Sequence, residues 1–325
     1  TICSGESPNI SLSPSIVGTT FDWTVIQSGV TGATDGSGDV INQILETSGT
    51  AQGSVIYRVT PTLNGCVGTS LDIKVLVNPL PLPELTDGVI CVDQATNVAF
   101  QTHTLNTGLS ISSYNFEWYF ENVLIAGAVS NTYEATLAGN YEVIATNKVT
   151  GCVSSPVSAN VTASFPGESI ATTQTPAFAD DATLTVTVTG GNGIYEYRLD
   201  DGAFQASNIF TNVTAGPHTV TVGDTNGCTN LTQDVFIIGY PKFFTPNGDG
   251  FNDSWNLIGL SNQPQAKIYI FDRYGKLLKQ ISSAGDGWDG TYTGQLMPAT
   301  DYWFTVEYTE LSATKIFRAH FSLLR

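Results

Sequence analysis

The sequence has little positive charge over most of its length and no long apolar run. Residues 1–239 contain 4 Lys or Arg against 21 Asp or Glu, which accounts for the whole net charge of −17. Such an acidic surface repels nucleic acid and anionic lipid, so we expect neither as a partner. No stretch of 18 or more apolar residues occurs, so the sequence predicts no transmembrane helix.

The sequence also lacks long segments with a 3.6-residue apolar period, and it contains one methionine. Short alternating runs rich in Val and Thr take their place, as in Leu184–Thr189, where apolar side chains and threonines fall on opposite faces of a strand. Turn signals such as Asp200-Asp201-Gly202 separate these runs. The sequence therefore predicts an all-β fold of tandem Ig-like sandwiches.

The five cysteines have no short spacing of the kind that a zinc knuckle needs. Cys3 and Cys66, and Cys91 and Cys152, each bracket one sandwich-sized block with a tryptophan between them. We expect these two pairs to form disulfides within a module, which implies an oxidising compartment; buried free thiols are the alternative. Cys228 has no partner in its own block, and we expect it to be buried.

A Gly-Cys turn recurs three times, at Gly65-Cys66, Gly151-Cys152 and Gly227-Cys228, each time between a β run and a last strand. Linkers rich in proline or glycine follow the last strands. The repeat predicts four modules: a first module (residues 1–80), a second module (84–165), a third module (167–239) and a C-terminal domain (240–325).

Two of these blocks resemble known repeats. The block with Ile2-Cys3-Ser4-Gly5, Phe21-Asp22-Trp23-Thr24 and Asn64-Gly65-Cys66 looks like the PKD-like modules of large Bacteroidetes surface proteins. The third block, with Gly190-Gly191-Asn192-Gly193 and Asn226-Gly227-Cys228, resembles the repeat of gliding-motility adhesins. These resemblances imply β-sandwich folds and an exported surface protein.

The C-terminal domain differs in charge, with 8 positive and 8 negative residues, and it carries three motif patches. They are Phe243–Trp255, Ile270–Lys276, and Gly287-Trp288-Asp289-Gly290 followed by Asp301–Phe304. Together they resemble the gliding-motility-associated C-terminal domain, the type B sorting domain of the type IX secretion system. The resemblance implies export by the type IX translocon, then release or retention at the cell surface, often with an outer-membrane partner of the PorP/SprF type.

Basic residues of this domain are candidates for the surface that the translocon reads, together with neighbouring aromatic residues. The candidates are Lys242, Arg273, Lys276, Lys279, Arg318 and Arg325. The alternative for each is ordinary solvated charge on strands and turns.

One turn in the same domain has two open interpretations. Asn247, Asp249, Asn252 and Asp253 carry side-chain oxygens spaced by glycines, as in part of a calcium loop, although the bidentate Glu of the EF-hand is missing. Asn-Gly and Asp-Gly are also strong turn formers whose side chains cap their own backbone. Calcium is the one cofactor that the sequence suggests.

No nucleophile elbow, zinc-protease helix, P-loop or dinucleotide fingerprint is present, so we expect no enzyme activity in this chain. Two functions stay open. One is the C-terminal region of a large secreted cell-surface adhesin, for which a surface polysaccharide is a candidate ligand. The other is the accessory tail of a secreted polysaccharide-degrading enzyme whose catalytic domain lies upstream.

Overall fold

A computed structural model describes residues 1–325 as β-strands, turns and loops. It contains no helix, so no helix is available to span a membrane. The expected all-β class is confirmed. Contacts group the chain into two compact units, residues 1–90 with 98–163, and residues 91–97 with 164–325.

The first module is built on a sheet in which the first strand pairs parallel with the last, Ile2 opposite Val77. The sheet order is β1-β10-β8-β3-β5, with β9 as a short hairpin extension of β8. Trp23, Tyr57 and Leu45 are buried in its core. The strands are β1 (Ile2–Cys3), β2 (Ile10–Ser11), β3 (Thr20–Ser28), β4 (Val30–Thr31), β5 (Gly36–Ser37), β6 (Val40–Ile41), β7 (Glu46–Thr47), β8 (Gly53–Leu63), β9 (Cys66–Val67) and β10 (Leu71–Asn78).

The second module places its first strand beside its last strand as well, in a sheet of order β12-β11-β18-β17-β14-β15, while β13 and β16 form a separate pair. Trp118 is fully buried, and its indole N–H donates to the Ser130 carbonyl at 2.8 Å. The strands are β11 (Gly88–Val92), β12 (Ala99–Gln101), β13 (His103–Asn106), β14 (Tyr114–Phe120), β15 (Val123–Leu124), β16 (Thr132–Ala135), β17 (Gly139–Asn147) and β18 (Val157–Ser164).

The third module has two three-stranded sheets, β19-β20-β22 and β21-β23-β24. Leu184 and Val186 face its core, so the alternation predicted for this run is confirmed. The strands are β19 (Ser169–Gln174), β20 (Leu184–Thr189), β21 (Tyr195–Leu199), β22 (Ile209–Phe210), β23 (Gly216–Asp224) and β24 (Asn230–Ile237).

The C-terminal domain has a five-stranded sheet of order β25-β31-β30-β26-β27. The long hairpin of β30 and β31 pairs from Thr300 opposite Leu323 to Glu310 opposite Ala313, and Leu311 and Ser312 turn the chain at positive φ. The strands are β25 (Phe243–Phe244), β26 (Lys267–Phe271), β27 (Leu277–Ser282), β28 (Thr291–Tyr292), β29 (Gln295–Leu296), β30 (Thr300–Glu310) and β31 (Ala313–Leu323).

Two of the motif patches meet in the core of this domain. Trp255 and Trp288 are fully buried and exchange two backbone hydrogen bonds of 2.9 Å. The Trp255 ring stacks on Phe321 with 3.8 Å between centroids, so it fixes the last strand against the core. Gly287 allows this approach, because its φ is +86° and a Cβ there would lie 2.5 Å from the Trp255 carbonyl oxygen.

The disulfides differ from the predicted ones. Cys3 is bonded to Cys152 with 5.6 Å between Cα atoms, and Cys91 is bonded to Cys228 with 5.3 Å. Cys66 is free and exposed. The predicted pairs Cys3–Cys66 and Cys91–Cys152 are therefore wrong, and Cys228 does have a partner. Its predicted burial is confirmed.

Strand direction explains why Cys3 and Cys66 do not meet. Cys3 lies opposite Asn78, at the end of the sheet where Val77 pairs with Gly53. Cys66 pairs with Leu63 at the other end of β8. Ten residues of strand separate the two ends, roughly 33 Å, whereas a disulfide needs Cα atoms about 4.4–6.8 Å apart. Cys91 and Cys152 cannot pair because each already has another partner.

We expect proteolysis of the oxidised chain without reductant to yield linked peptides containing Cys3 with Cys152 and Cys91 with Cys228. The bonds close loops of 149 and 137 residues. Since loops of this length stabilise by about 5 kcal/mol each in the chain-entropy model, Cys152→Ser should lower the melting temperature strongly. Cys66→Ser is the matched control and should leave it unchanged. Linked Cys3–Cys66 peptides would contradict the structure.

Candidate functional site

The strands of the C-terminal sheet have one buried and one solvent-facing side. Ile268, Ile270, Phe304 and Phe321 point into the core. The residues between them point outward, because successive side chains of a strand alternate. The outward set is Lys267, Tyr269 and Phe271 on β26, Trp303, Thr305 and Glu307 on β30, and Ile316, Arg318 and His320 on β31.

An apolar row crosses this outer face from strand to strand. Leu277 lies opposite Phe271, Phe271 opposite Trp303, and Trp303 opposite His320. A register shift between Ile270 and Phe271 brings Leu277 into the row. Trp303 is 43% exposed and Leu277 48%, and the rings of Trp303 and His320 are 6.2 Å apart. We call these four residues the outer aromatic row. Phe271 is half-buried and His320 is polar, so the row is partly apolar and partly exposed, and aromatic side chains in such a setting are enriched at interaction surfaces.

Two of the predicted basic residues lie at one end of the same sheet. Arg273 follows β26, and one of its guanidinium nitrogens donates to the Thr300 hydroxyl at 3.2 Å. Arg325 follows β31, whose Leu323 lies opposite Thr300. Burial raises the pKa of Tyr302 at this end of the sheet; the charges of Arg325 and Arg273 oppose that rise, and the charge of Asp272 adds to it. Tyr274, next to Arg273, is 86% exposed. This end of the sheet thus carries two arginines and Asp272 beside the exposed Tyr274 ring.

The other predicted basic residues do not gather with these two. Arg318 is on the outer face, opposite Thr305. Lys276 lies 4.4 Å from the centroid of the Tyr292 ring, and Lys279 is 4.0 Å from a carboxylate oxygen of Asp289. Lys242 is engaged by Asp180 of the third module at 2.5 Å. The six residues therefore form no single surface, and a partner role for each stays a prediction.

The candidate residues predicted from the sequence do not include the outer aromatic row, because they were selected for their positive charge. Alternation in β26 and β30 already placed Phe271 and Trp303 on the face away from the core. The sequence pattern does not reveal the strand register that aligns Phe271 and Trp303 with Leu277 and His320. That register depends on the irregularity after Ile270.

The last strand is partly open at its edge. On one side β31 pairs with β30 along its whole length, and on the other it pairs with β25 at Ser322 and Leu323. The backbone from Ala313 to Phe321 has no strand pairing on that second side. An open edge of this length can accept a strand from a partner.

The turn before Trp255 is held by its own side chains. The Asp253 carboxylate accepts hydrogen bonds from the backbone N–H groups of Gly248 (2.6 Å), Gly250 (2.8 Å) and Asn247 (3.0 Å). Asp249 accepts from the Asn247 amide and the Phe251 N–H. Converging N–H groups suit an anion, and they occupy oxygens that a calcium ion would need. This geometry favours the structural turn, and calcium binding stays a prediction.

Asp253→Asn should lower the melting temperature at neutral pH, because it removes a charged acceptor from three backbone donors. The N–H groups of Gly248, Gly250 and Asn247 hold the pKa of Asp253 below its usual 3.8. Its stabilising effect is therefore complete above that value and disappears as the pH falls through the lowered pKa. The difference in melting temperature between the wild type and the variant should therefore disappear at acid pH, as measured by thermal melts. A melting temperature that rises with Ca²⁺ and falls back with EDTA would instead support the calcium interpretation.

A loop of the third module completes the core of the C-terminal domain. Phe178, between β19 and β20, is 4% exposed and belongs to that core. Its ring stacks on Phe317 at 4.5 Å and meets Tyr308 edge-on at 5.2 Å. Its φ of +66° is unfavourable for a bulky residue, so packing must hold it there.

Polar contacts surround this aromatic contact. The Phe178 N–H donates to the Ile238 carbonyl at 3.0 Å, and the Ala177 N–H donates to the Glu310 carboxylate at 2.8 Å. Lys242 bonds Asp180 at 2.5 Å and lies 4.1 Å from the centroid of the Tyr240 ring. Within the compact unit of residues 164–325, the third module and the C-terminal domain therefore share a hydrophobic core and the polar contacts around it.

Phe178→Ala should destabilise the C-terminal domain, because Phe317, Tyr308 and Tyr240 lose their cover. Removing a buried phenylalanine costs about 3–5 kcal/mol. The measurement is urea unfolding of the full chain followed by tryptophan fluorescence. Phe236→Ala, at a 44% exposed ring of the same module, is the matched control and should cost far less. Equal effects of the two changes would contradict the shared core.

His218 is the one histidine with an acidic partner, and its contacts are structural. His218 Nδ1 lies 2.7 Å from Asp200, and its Nε2 lies 2.8 Å from the Thr214 carbonyl oxygen. The Thr214 hydroxyl lies farther from Nε2, at 3.5 Å, than the Thr214 carbonyl oxygen does. The pair therefore fixes the turn that leads into β23.

Two family models match the chain, one at each end. Residues 238–320 match the CHU_C type IX secretion signal domain, and residues 1–81 match the PKD-like domain. Both are non-catalytic modules. The chain thus begins with a PKD-like domain and ends with a domain that implies export out of the cell. Its last domain is a type IX secretion signal domain, as the resemblance of residues 240–325 implied.

Solved structures similar to the chain are multi-domain β-proteins. Sidekick-1 immunoglobulin domains 1–4 match at 13% identity over 100% of this chain and 96% of that one, with a TM-score of 0.20. The N-terminal four Ig domains of Dscam1 isoform 4.44 match at 12% identity over 94% of this chain and 91% of that one, with a TM-score of 0.21. A further match is SGBP-B from the mixed-linkage glucan utilization locus of Bacteroides ovatus, in complex with a mixed-linkage heptasaccharide. Its identity is 15% over 86% of this chain and 83% of that one, with a TM-score of 0.18. TM-scores this low support no argument. No curated protein matches the sequence.

Proposed function

We propose that this chain is the non-catalytic C-terminal region of a large cell-surface adhesin, exported through its last domain. The signal domain provides for export, and the preceding modules are β-sandwiches with an acidic surface that suits an extracellular protein. The resemblance of the third module to the repeat of gliding-motility adhesins supports the adhesin role. Its ligand would be a surface polysaccharide.

We propose further that the translocon reads the outer face of the C-terminal sheet. The observation that carries this proposal is the outer aromatic row, which ends next to Arg273 and Tyr274 on a domain whose net charge is zero. Binding surfaces favour aromatic and arginine residues of this kind. Because the strands are fixed by the buried Trp255 and Phe321, a receptor would bind this face without ordering it first, which lowers the cost of association.

After export, the open edge of β31 would serve retention. A partner of the PorP/SprF type in the outer membrane could add a strand along Ala313–Phe321. Arg318 and Lys315 on this strand would then limit pairing with unrelated edges, since charged side chains discourage such pairing.

The second candidate function is the accessory tail of a secreted polysaccharide-degrading enzyme. The same signal domain serves either cargo, so the sequence encoded upstream of Thr1 distinguishes the two. Further copies of these modules favour the adhesin. A large catalytic domain favours the enzyme tail.

The recognition surface can be tested by secretion. A periplasm-directed fluorescent protein is placed before residues 1–325 and produced in a host with a type IX system. We expect the wild-type fusion outside the cell and the Trp303→Ala, Arg273→Ala double variant retained in the periplasm. Losing hot-spot contacts of about 2 kcal/mol or more weakens recognition by roughly 30-fold or more.

Phe251→Ala is the matched control, because Phe251 is 77% exposed in the same domain but lies in the turn after Asn247, not in a sheet strand. It should leave secretion unchanged. Purified wild type and variants should melt within a few degrees of each other, which excludes misfolding as the cause. Normal secretion of the double variant would show that the outer face is not what the translocon reads.

A further inference from the structure

The two disulfides of the chain follow one positional rule. In each, a cysteine of a first strand is bonded to the Gly-Cys turn of the next module along the chain. Cys3 in β1 is bonded to Cys152 of the second module, and Cys91 in β11 is bonded to Cys228 of the third. Both first-strand cysteines follow an isoleucine, and each strand lies beside the last strand of its own module.

The three Gly-Cys turns are equivalent in structure as well as in sequence. Gly65, Gly151 and Gly227 have φ of +81°, +74° and +76°. Each turn directly follows a long strand of its module, β8, β17 or β23, and precedes the last strand, β10, β18 or β24. Two of the three turn cysteines are bonded and buried, Cys152 at 1% and Cys228 at 7% exposure.

We propose that Cys66 forms the same kind of bond with the first-strand cysteine of an Ig-like module on the N-terminal side of the first module. The rule then accounts for every cysteine. The third module has no cysteine in its first strand β19, in keeping with a following domain that has no cysteine at all. Cys66 is the one turn cysteine whose module has no predecessor within residues 1–325.

The surface around Cys66 fits a docked module. A groove beside the thiol is lined by Ile16, Phe21, Pro61 and Leu63. Next to it, Val67 is 71% and Ile16 59% exposed. A docked module would bury this thiol and the apolar side chains beside it, and burial of such groups is favourable.

The bond forms by two thiol–disulfide exchanges with a disulfide oxidant. One thiolate attacks the oxidant and forms a mixed disulfide, and the second thiolate displaces the oxidant's remaining sulfur. The two cysteines lose two protons and two electrons, and the oxidant leaves as two thiols. Tethering in one chain favours this reaction, because it holds the second thiol at about millimolar effective concentration.

The test adds a leading module to the full chain. A copy of residues 1–83 carrying Cys66→Ser is placed directly before Thr1, so that the proline-rich linker joins the two modules. The proteins are oxidised with glutathione disulfide, alkylated and mapped by mass spectrometry. The chain alone should show one free thiol, at Cys66. The tandem should show none, with Cys3-containing and Cys66-containing peptides linked.

The matched control carries Cys3→Ser in the leading copy as well, and Cys66 should be free again. A second tandem uses residues 84–167 with Cys152→Ser as the leading module. It should yield a Cys91–Cys66 linkage that the chain alone does not contain. A Cys66 thiol that stays free in both tandems, or that links two chains through Cys66 on each, would overturn the proposal.

Discussion

The stack of Trp255 on Phe321 is the contact on which the C-terminal domain depends. It fixes the last strand against the core, and Trp255 and Trp288 lock two loops together through paired backbone bonds. Because strands alternate, fixing Phe304 and Phe321 inward also fixes Trp303 and His320 outward. The buried aromatic cluster and the exposed aromatic row are thus two sides of one constraint, and the proposed recognition face is as rigid as the core beneath it.

Alternation along single strands was predictable, and so was much of the fold. Ile268 and Ile270 face the core, as the period of two in their segment requires. The match of residues 238–320 to the signal domain agrees with the motif order read from the sequence. These features depend on neighbours along the chain, which the sequence shows directly.

Features that depend on distant neighbours were not predictable. Pairing Cys3 with Cys66 looked reasonable from spacing, but the length of β8 separates their positions, and only the sheet register reveals this. Phe178 lies in a loop whose sequence predicts a connector, yet its ring fills the core of the next domain. The sequence Pro176-Ala177-Phe178 does not predict a positive φ at Phe178, because packing against residues distant in sequence imposes it.

The overlap of the two disulfides has a mechanical consequence when the two ends of the chain are pulled apart. Cys3–Cys152 and Cys91–Cys228 span overlapping stretches, so the shortest covalent path from Cys3 to Cys228 runs through the two bonds and residues 91–152. Under tension this path can extend to only about 200 Å, against roughly 800 Å for the unbridged backbone. The first three modules therefore form a tether of limited extensibility.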